Sequence, residues 1–142
     1  MSHVSMIEME EKYDIAALKQ MCKDQNWEWR ENQKTYKWYG QFMDDYPLPP
    51  GFTRHDLGRC DHAIKIPGAS YEIGVVKKGG EWKLLWDFWE SGGLQQKLGQ
   101  NAGLLKQSYG MAKTRVTAKL NKRRCYQRPA KQKNWTRLVV EI

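Results

Sequence analysis

Nothing in this 142-residue chain approaches the unbroken run of roughly eighteen apolar residues that a membrane-spanning helix requires. The opening Met1-Ser2-His3-Val4 also lacks the apolar core of a secretory signal, so the expected location is the cytoplasm, with no membrane partner. Cysteine is scarce: Cys22, Cys60 and Cys125 are odd in number and far apart, which excludes a disulfide framework and fits reduced thiols. No Gly-x-x-x-x-Gly-Lys phosphate cradle, internal repeat or low-complexity tail occurs. The most informative absence is of acid near the C-terminus, where Glu141 is the one carboxylate side chain between Ser91 and Ile142.

That last third holds twelve Lys or Arg, a formal charge of +11, whereas the first ninety residues carry −3, giving the chain its net +8. Charge gathered in this way steers polyanions toward one part of a small protein, and phosphate is the obvious biological counter-charge. With 40% apolar and 12% aromatic residues, the chain is expected to form one domain, residues 1–142, around a real core. Residues 113–137 form its basic segment.

Patterning predicts an α+β fold. Val4 and Met6 mark a short strand, and Ile15, Leu18 and Cys22 recur at helical spacing from Asp14 to about Asp24. Trp27, Trp29, Tyr36, Trp38, Tyr39 and Phe42 alternate with charged residues and predict a two-stranded aromatic hairpin around Asn32-Gln33. Residues 44–59, with three prolines and two glycines, read as a surface loop. Ala63–Ile66, Tyr71–Val76 and Trp82–Trp89 then predict an antiparallel meander, with both faces of its last strand apolar enough to be covered. A single long helix is expected from about Gly93 to Leu120, because Leu94, Leu98, Ala102, Leu105, Tyr109, Ala112, Val116 and Leu120 share one stripe. Gly99, Gly103 and Gly110 lie on another face of that helix, where each costs roughly 1 kcal/mol relative to alanine, so a close neighbour is expected there: the 44–59 loop or a second subunit. The chain closes with a hairpin from Arg124 to Ile142, and the terminal strands are expected to join the meander in one antiparallel sheet with the long helix packed across it.

The densest polar cluster, Arg54-His55-Asp56 followed by Arg59-Cys60-Asp61-His62, lacks the repeated close ligand pairs of a zinc site. A Cys60–His62 nucleophile has equally little support, and Asp44, Asp45, Glu72, Asp87 and Glu90 are too scattered to define an acid–base pair. No catalytic, metal or cofactor residue is therefore assigned, and a cryptic enzyme built on His55, Cys60 and His62 ranks last.

The stretch Cys60-Asp61-His62-Ala63-Ile64-Lys65-Ile66-Pro67-Gly68, with Tyr71-Glu72-Ile73-Gly74-Val75-Val76, Leu84-Leu85-Trp86-Asp87-Phe88-Trp89 and Gly92-Gly93-Leu94, resembles a family of small uncharacterised proteins. That family includes the hypothetical chloroplast reading frame thirty-five of algae, with cyanobacterial, other bacterial and phage relatives. Met1-Ser2-His3, the run Leu98 to Tyr109 and the closing Leu138-Val139-Val140 are similar too, so the resemblance spans nearly the whole chain. It implies a compact α+β domain and brings no activity or site residue. The 36–59 region and the basic 119–133 segment depart from the pattern.

The leading expectation is a non-catalytic binding protein for a phosphate-rich partner, RNA or DNA ahead of a nucleotide signal. Arg115, Lys119, Lys122, Arg123, Arg124 and Arg128 are the expected phosphate contacts, and Trp27, Trp29, Tyr36 and Trp38 the stacking platform. The alternative is an oligomeric phage-type inhibitory or structural protein that docks a protein partner or sequesters a cyclic nucleotide between subunits.

Overall fold

The computed structural model describes residues 3–9, 11–41, 46–120, 125–129 and 136–140, the last two segments by their backbone. In chain order the strands are β1 (Val4–Met6), β2 (Glu28–Arg30), β3 (His62–Lys65), β4 (Glu72–Lys78), β5 (Glu81–Asp87), β6 (Cys125–Pro129) and β7 (Thr136–Val140). The α-helices are α1 (Ile15–Gln25), α2 (Leu94–Leu98) and α3 (Gly103–Leu120). The first five strands form one antiparallel sheet in the order β1-β5-β4-β3-β2, and the helices pack on it, so the chain is α+β as its patterning predicts. At the centre, Lys78 pairs with Glu81 across Gly79 and Gly80, whose φ values of 61° and 78° suit the two-residue turn that matches strand twist.

One sheet face carries the larger core. Ile64, Ile73, Val75, Leu84 and Trp86 meet Ala17, Leu18 and Met21 of α1 and Leu94, Leu98, Leu105, Tyr109 and Ala112 of the C-terminal helices. Each fully buried Leu or Ile contributes about 2 kcal/mol through removal of apolar surface from water. Helix α1 is fixed at both ends: Asp14 Oδ1 accepts from the Ala16 amide at 3.1 Å, and Asn26 adopts the left-handed conformation at φ 59°. The Tyr109 hydroxyl accepts from the Asp14 amide at 2.8 Å, so α3 grips the start of α1.

The second face is covered by chain without regular structure. Tyr36, Phe52, Leu57 and Cys60 pack on Val4, Ala63 and Leu85, so residues 44–59 include a lid over the sheet as well as exposed loop. Lys78 holds this lid by placing Nζ 4.3 Å from the Phe52 ring centroid and 3.5 Å from Asp56 Oδ2. Tyr36 lies directly over Gly74, where an added Cβ would overlap the ring. Two buried carboxylates tie the covering segment down. Glu72 accepts from Arg30 Nη1 (3.2 Å), Gln33 Nε2 (3.0 Å) and the Lys37 amide (2.9 Å), while Asp87 accepts from the amides of His3 (3.0 Å), Tyr39 (3.0 Å) and Trp89 (3.1 Å). Such bonds replace the water that each carboxylate gives up on burial.

Four expectations need correction. The helix expected over 93–120 is broken: Gly99 (φ 81°), Asn101 (φ 55°) and Ala102 (φ 56°) separate α2 from α3, yet the apolar stripe survives because Leu98, Ala102 and Leu105 still reach the same core. The aromatic hairpin does not form. Trp29 pairs with Ile64, and Thr35 forms an isolated bridge with Arg59, because the Glu72 bonds draw the second arm across the sheet instead of along β2. Strands β6 and β7 form a separate two-stranded ribbon, so only the N-terminal strand joins the main sheet. Finally, a Cβ on Gly99, Gly103 or Gly110 meets nothing within 4 Å among the described residues, so the loop, whose Phe52 and Leu57 pack on the sheet, is not the neighbour expected there.

Gly74→Ala is expected to lower unfolding free energy by about 2–3 kcal/mol through overpacking against Tyr36. Gly110→Ala, with open space and ordinary helical φ, is expected to raise it by up to about 1 kcal/mol. Urea denaturation checks both; destabilisation by Gly110→Ala would mean that another surface meets this face.

Candidate functional site

The basic segment begins on α3. Arg115 is half-buried, its Nε 3.5 Å from Asp24 Oδ2, so this guanidinium already has a carboxylate partner at the end of α1. Lys113 donates to Asp14 Oδ2 at 3.1 Å, and that bond holds the ammonium above its usual pKa range. Lys119 is exposed. Lys122, Arg123 and Arg124 lie outside the described residues, and Arg128 occupies β6 directly opposite Arg137 of β7. The ribbon touches α3 and stands apart from the five-stranded sheet. From Lys119 to Arg137 the sequence has eight Lys or Arg and no acid.

The expected stacking residues divide. Tyr36 is 3% exposed beneath the lid, so it cannot serve as an open platform: its ring is committed to Gly74. Trp38 is half-buried and covers Gly58, whose φ of 83° keeps that position free of a side chain. Trp27 and Trp29 are partly exposed at the margin of the larger core. Trp29 leads a ladder of rings: His62 lies 5.1 Å from it at 34°, and Trp82 lies 5.5 Å beyond at 38°. Lys19 caps the Trp29 end at 5.9 Å and Lys77 the Trp82 end at 5.8 Å, within cation–π range. Trp27 follows Asp24 by three residues, so the basic end of α3 adjoins the turn that launches this aromatic edge.

The histidine–cysteine cluster disperses on folding. His55 is exposed on a short 3-10 turn, Cys60 donates its thiol to the Gln33 carbonyl at 3.0 Å, and His62 Nδ1 accepts from the Asn32 amide at 3.0 Å. That bond places the neutral His62 proton on Nε2. Among the described residues, no group of three His, Cys, Asp or Glu converges as a metal site. Burial pushes the Cys60 thiol up to about 12, with the Asp61 and Glu72 carboxylates adding to the effect, and burial pushes Cys22 to about 12 as well. Both are therefore protonated thiols at neutral pH rather than activated nucleophiles.

Sequence reasoning missed a cavity of about 360 Å³ beside β1. It gathers Tyr46, Phe88, Gln95, Gln100, Asn101 and Lys106 from three stretches of chain, none with a motif of its own. Its nearest sequence signal is Gly99-Gln100-Asn101, which forms the break between α2 and α3.

Comparison of the chain with protein-family models, curated proteins and solved structures finds no match.

Native protein treated with a thiol reagent at pH 8 is expected to leave Cys22 and Cys60 largely unmodified, because this pH lies far below the raised thiol values. Peptide mass spectrometry checks this against urea-unfolded protein; modification of Cys60 at the unfolded rate would contradict its burial.

Proposed function

We propose that this protein is a non-catalytic nucleic-acid binding module whose basic C-terminal arm holds the phosphate backbone. The observation that carries the reading is the arm's composition and register: eight cations without one acid between Lys119 and Arg137, with Arg128 and Arg137 facing each other across the β6–β7 ribbon. Like charges directly opposite one another weaken an antiparallel pair, and a polyanion offsets that repulsion. A two-stranded ribbon also has the width that a DNA major groove admits.

Within this reading, Lys119, Lys122, Arg123, Arg124 and Arg128 contact phosphates. Arg115, already paired with Asp24, anchors the arm to α1 and makes a weaker contribution to phosphate binding. Trp27 and Trp29 at the adjoining edge supply base stacking, whereas Tyr36 and Trp38 keep the lid in place. Neutralisation of phosphates releases counterions, which makes affinity steeply dependent on salt and tolerant of sequence.

Fluorescence anisotropy with labelled duplex and single-stranded oligonucleotides, repeated across salt concentrations, tests the proposal. Replacement of Lys119, Lys122, Arg123 and Arg124 by Ala is expected to flatten the duplex salt slope by about 3–4, roughly 0.9 for each lost contact. The ranking of different sequences should be unchanged. Equal affinity and slope in the two proteins would refute the arm as the phosphate-binding element.

A further inference from the structure

We infer that the cavity beside β1 is a separate binding site for a mononucleotide, a ligand with one planar hydrogen-bonding ring and one phosphate. Its volume of about 360 Å³ falls in the range of small-ligand pockets. Phe88 and Tyr46 meet edge to face at 5.1 Å and 82°, and the His3 ring packs against both, at 5.2 and 5.5 Å. Trp86 backs this wall, held by a 3.1 Å bond from its Nε1 to Ser5 Oγ. A planar heterocycle gains stacking energy against the aromatic rings that line the cavity.

The lining also includes polar side chains from the α2–α3 region. Among the described residues, the side chains of Gln95, Gln100, Asn101 and Lys106 have no hydrogen-bond or ion-pair partner, although all four line the cavity; Gln100 and Asn101 are also open to solvent. Carboxamides present donor and acceptor together, which complements the alternating donors and acceptors along a base edge. Lys106 supplies a cation for phosphate. Glu8 also lines the cavity, and its carboxylate accepts hydrogen bonds from an exocyclic amine or from ribose hydroxyls, favouring a nucleotide over a bare inorganic anion.

The backbone on this side is strained. Asn101 and Ala102 adopt φ of 55° and 56° in succession, a left-handed conformation that residues other than glycine rarely take up. Ala102 is fully buried in the core, which holds the break in place and fixes Asn101 at the cavity wall. Gln95 is thus carried on α2, Lys106 on α3, and Gln100 and Asn101 on the break between them.

Among the described residues no arm side chain lines this cavity, and the inference does not draw on nucleic-acid binding through the arm. Isothermal titration and saturation-transfer NMR with AMP, adenosine and inorganic phosphate as probes test it. AMP is expected to bind more tightly than adenosine. Lys106→Ala is expected to weaken AMP about tenfold or more while leaving adenosine within about twofold, the cost of one lost charged contact. Tyr46→Ala, a change at an exposed ring with little consequence for folding, is expected to weaken both. AMP affinity in the fourfold arm variant should match wild type. The inference is overturned by absence of saturable AMP binding at about 10 mM, well beyond the millimolar end of the affinity scale, by binding that ignores both cavity substitutions, or by loss of AMP binding in the arm variant alone.

Discussion

Closure of the second sheet face rests on the contact of the Tyr36 ring with Gly74. Without a Cβ at that position, the aromatic ring packs against the centre of β4, and the chain from Gln33 to Tyr39 is drawn across the strands instead of pairing beside β2. Glu72 and Asp87 complete the strap, each accepting three hydrogen bonds, at least one from a crossing amide. Burial of two carboxylates would be costly on its own, but these amides and the Arg30 and Gln33 side chains satisfy them and fix the register of the strap. Phe52, Leu57 and Cys60 then have a defined surface on which to settle. The aromatic wealth of residues 27–39 is thus spent largely on architecture.

The other face is built by helices, and its consequence for function is electrostatic. Tyr109 and Lys113 of α3 seize Asp14 at the start of α1, while Arg115 meets Asp24 at its end, so cations early in the basic segment are matched by α1 acids. Beyond Arg115, Lys119 is exposed, and the sequence from Lys119 to Arg137 carries cations without acids. The division between structural and available charge therefore falls within α3 itself. The composition of the segment alone does not mark that boundary, because an arginine paired with a neighbouring helix and one left in solvent have the same sequence signature.

Local pattern was readable where one periodicity served one face. Alternation in β5 placed Trp82, Leu84, Trp86 and Phe88 toward the helices and Leu85 toward the lid, and the helical stripe placed Leu94 to Ala112 in the core. The same stripe concealed the break at Gly99, since a kink that returns Ala102 and Leu105 to the same face leaves the spacing of apolar residues intact. Aromatic alternation misled at Tyr36 because strand-like spacing is shared by any extended segment, including one that crosses a sheet. The glycine face invited a neighbour, yet Gly99 is explained by its own φ of 81°, and a Cβ on Gly103 or Gly110 meets nothing within 4 Å among the described residues.

The sequence by itself determined the α+β class, the positions of the central strands and helices, and the separation of charge, all of which depend on residues near one another in the chain. Tertiary structure decided which aromatics are buried, which cations are matched, how His55, Cys60 and His62 part, and how Tyr46, Phe88, Gln95, Gln100, Asn101 and Lys106 converge on one cavity. These outcomes turn on contacts between residues tens of positions apart, such as Lys37 with Glu72 and Tyr39 with Asp87. No local periodicity encodes such a pairing, because its energy appears only when the sheet exists to bring the partners together.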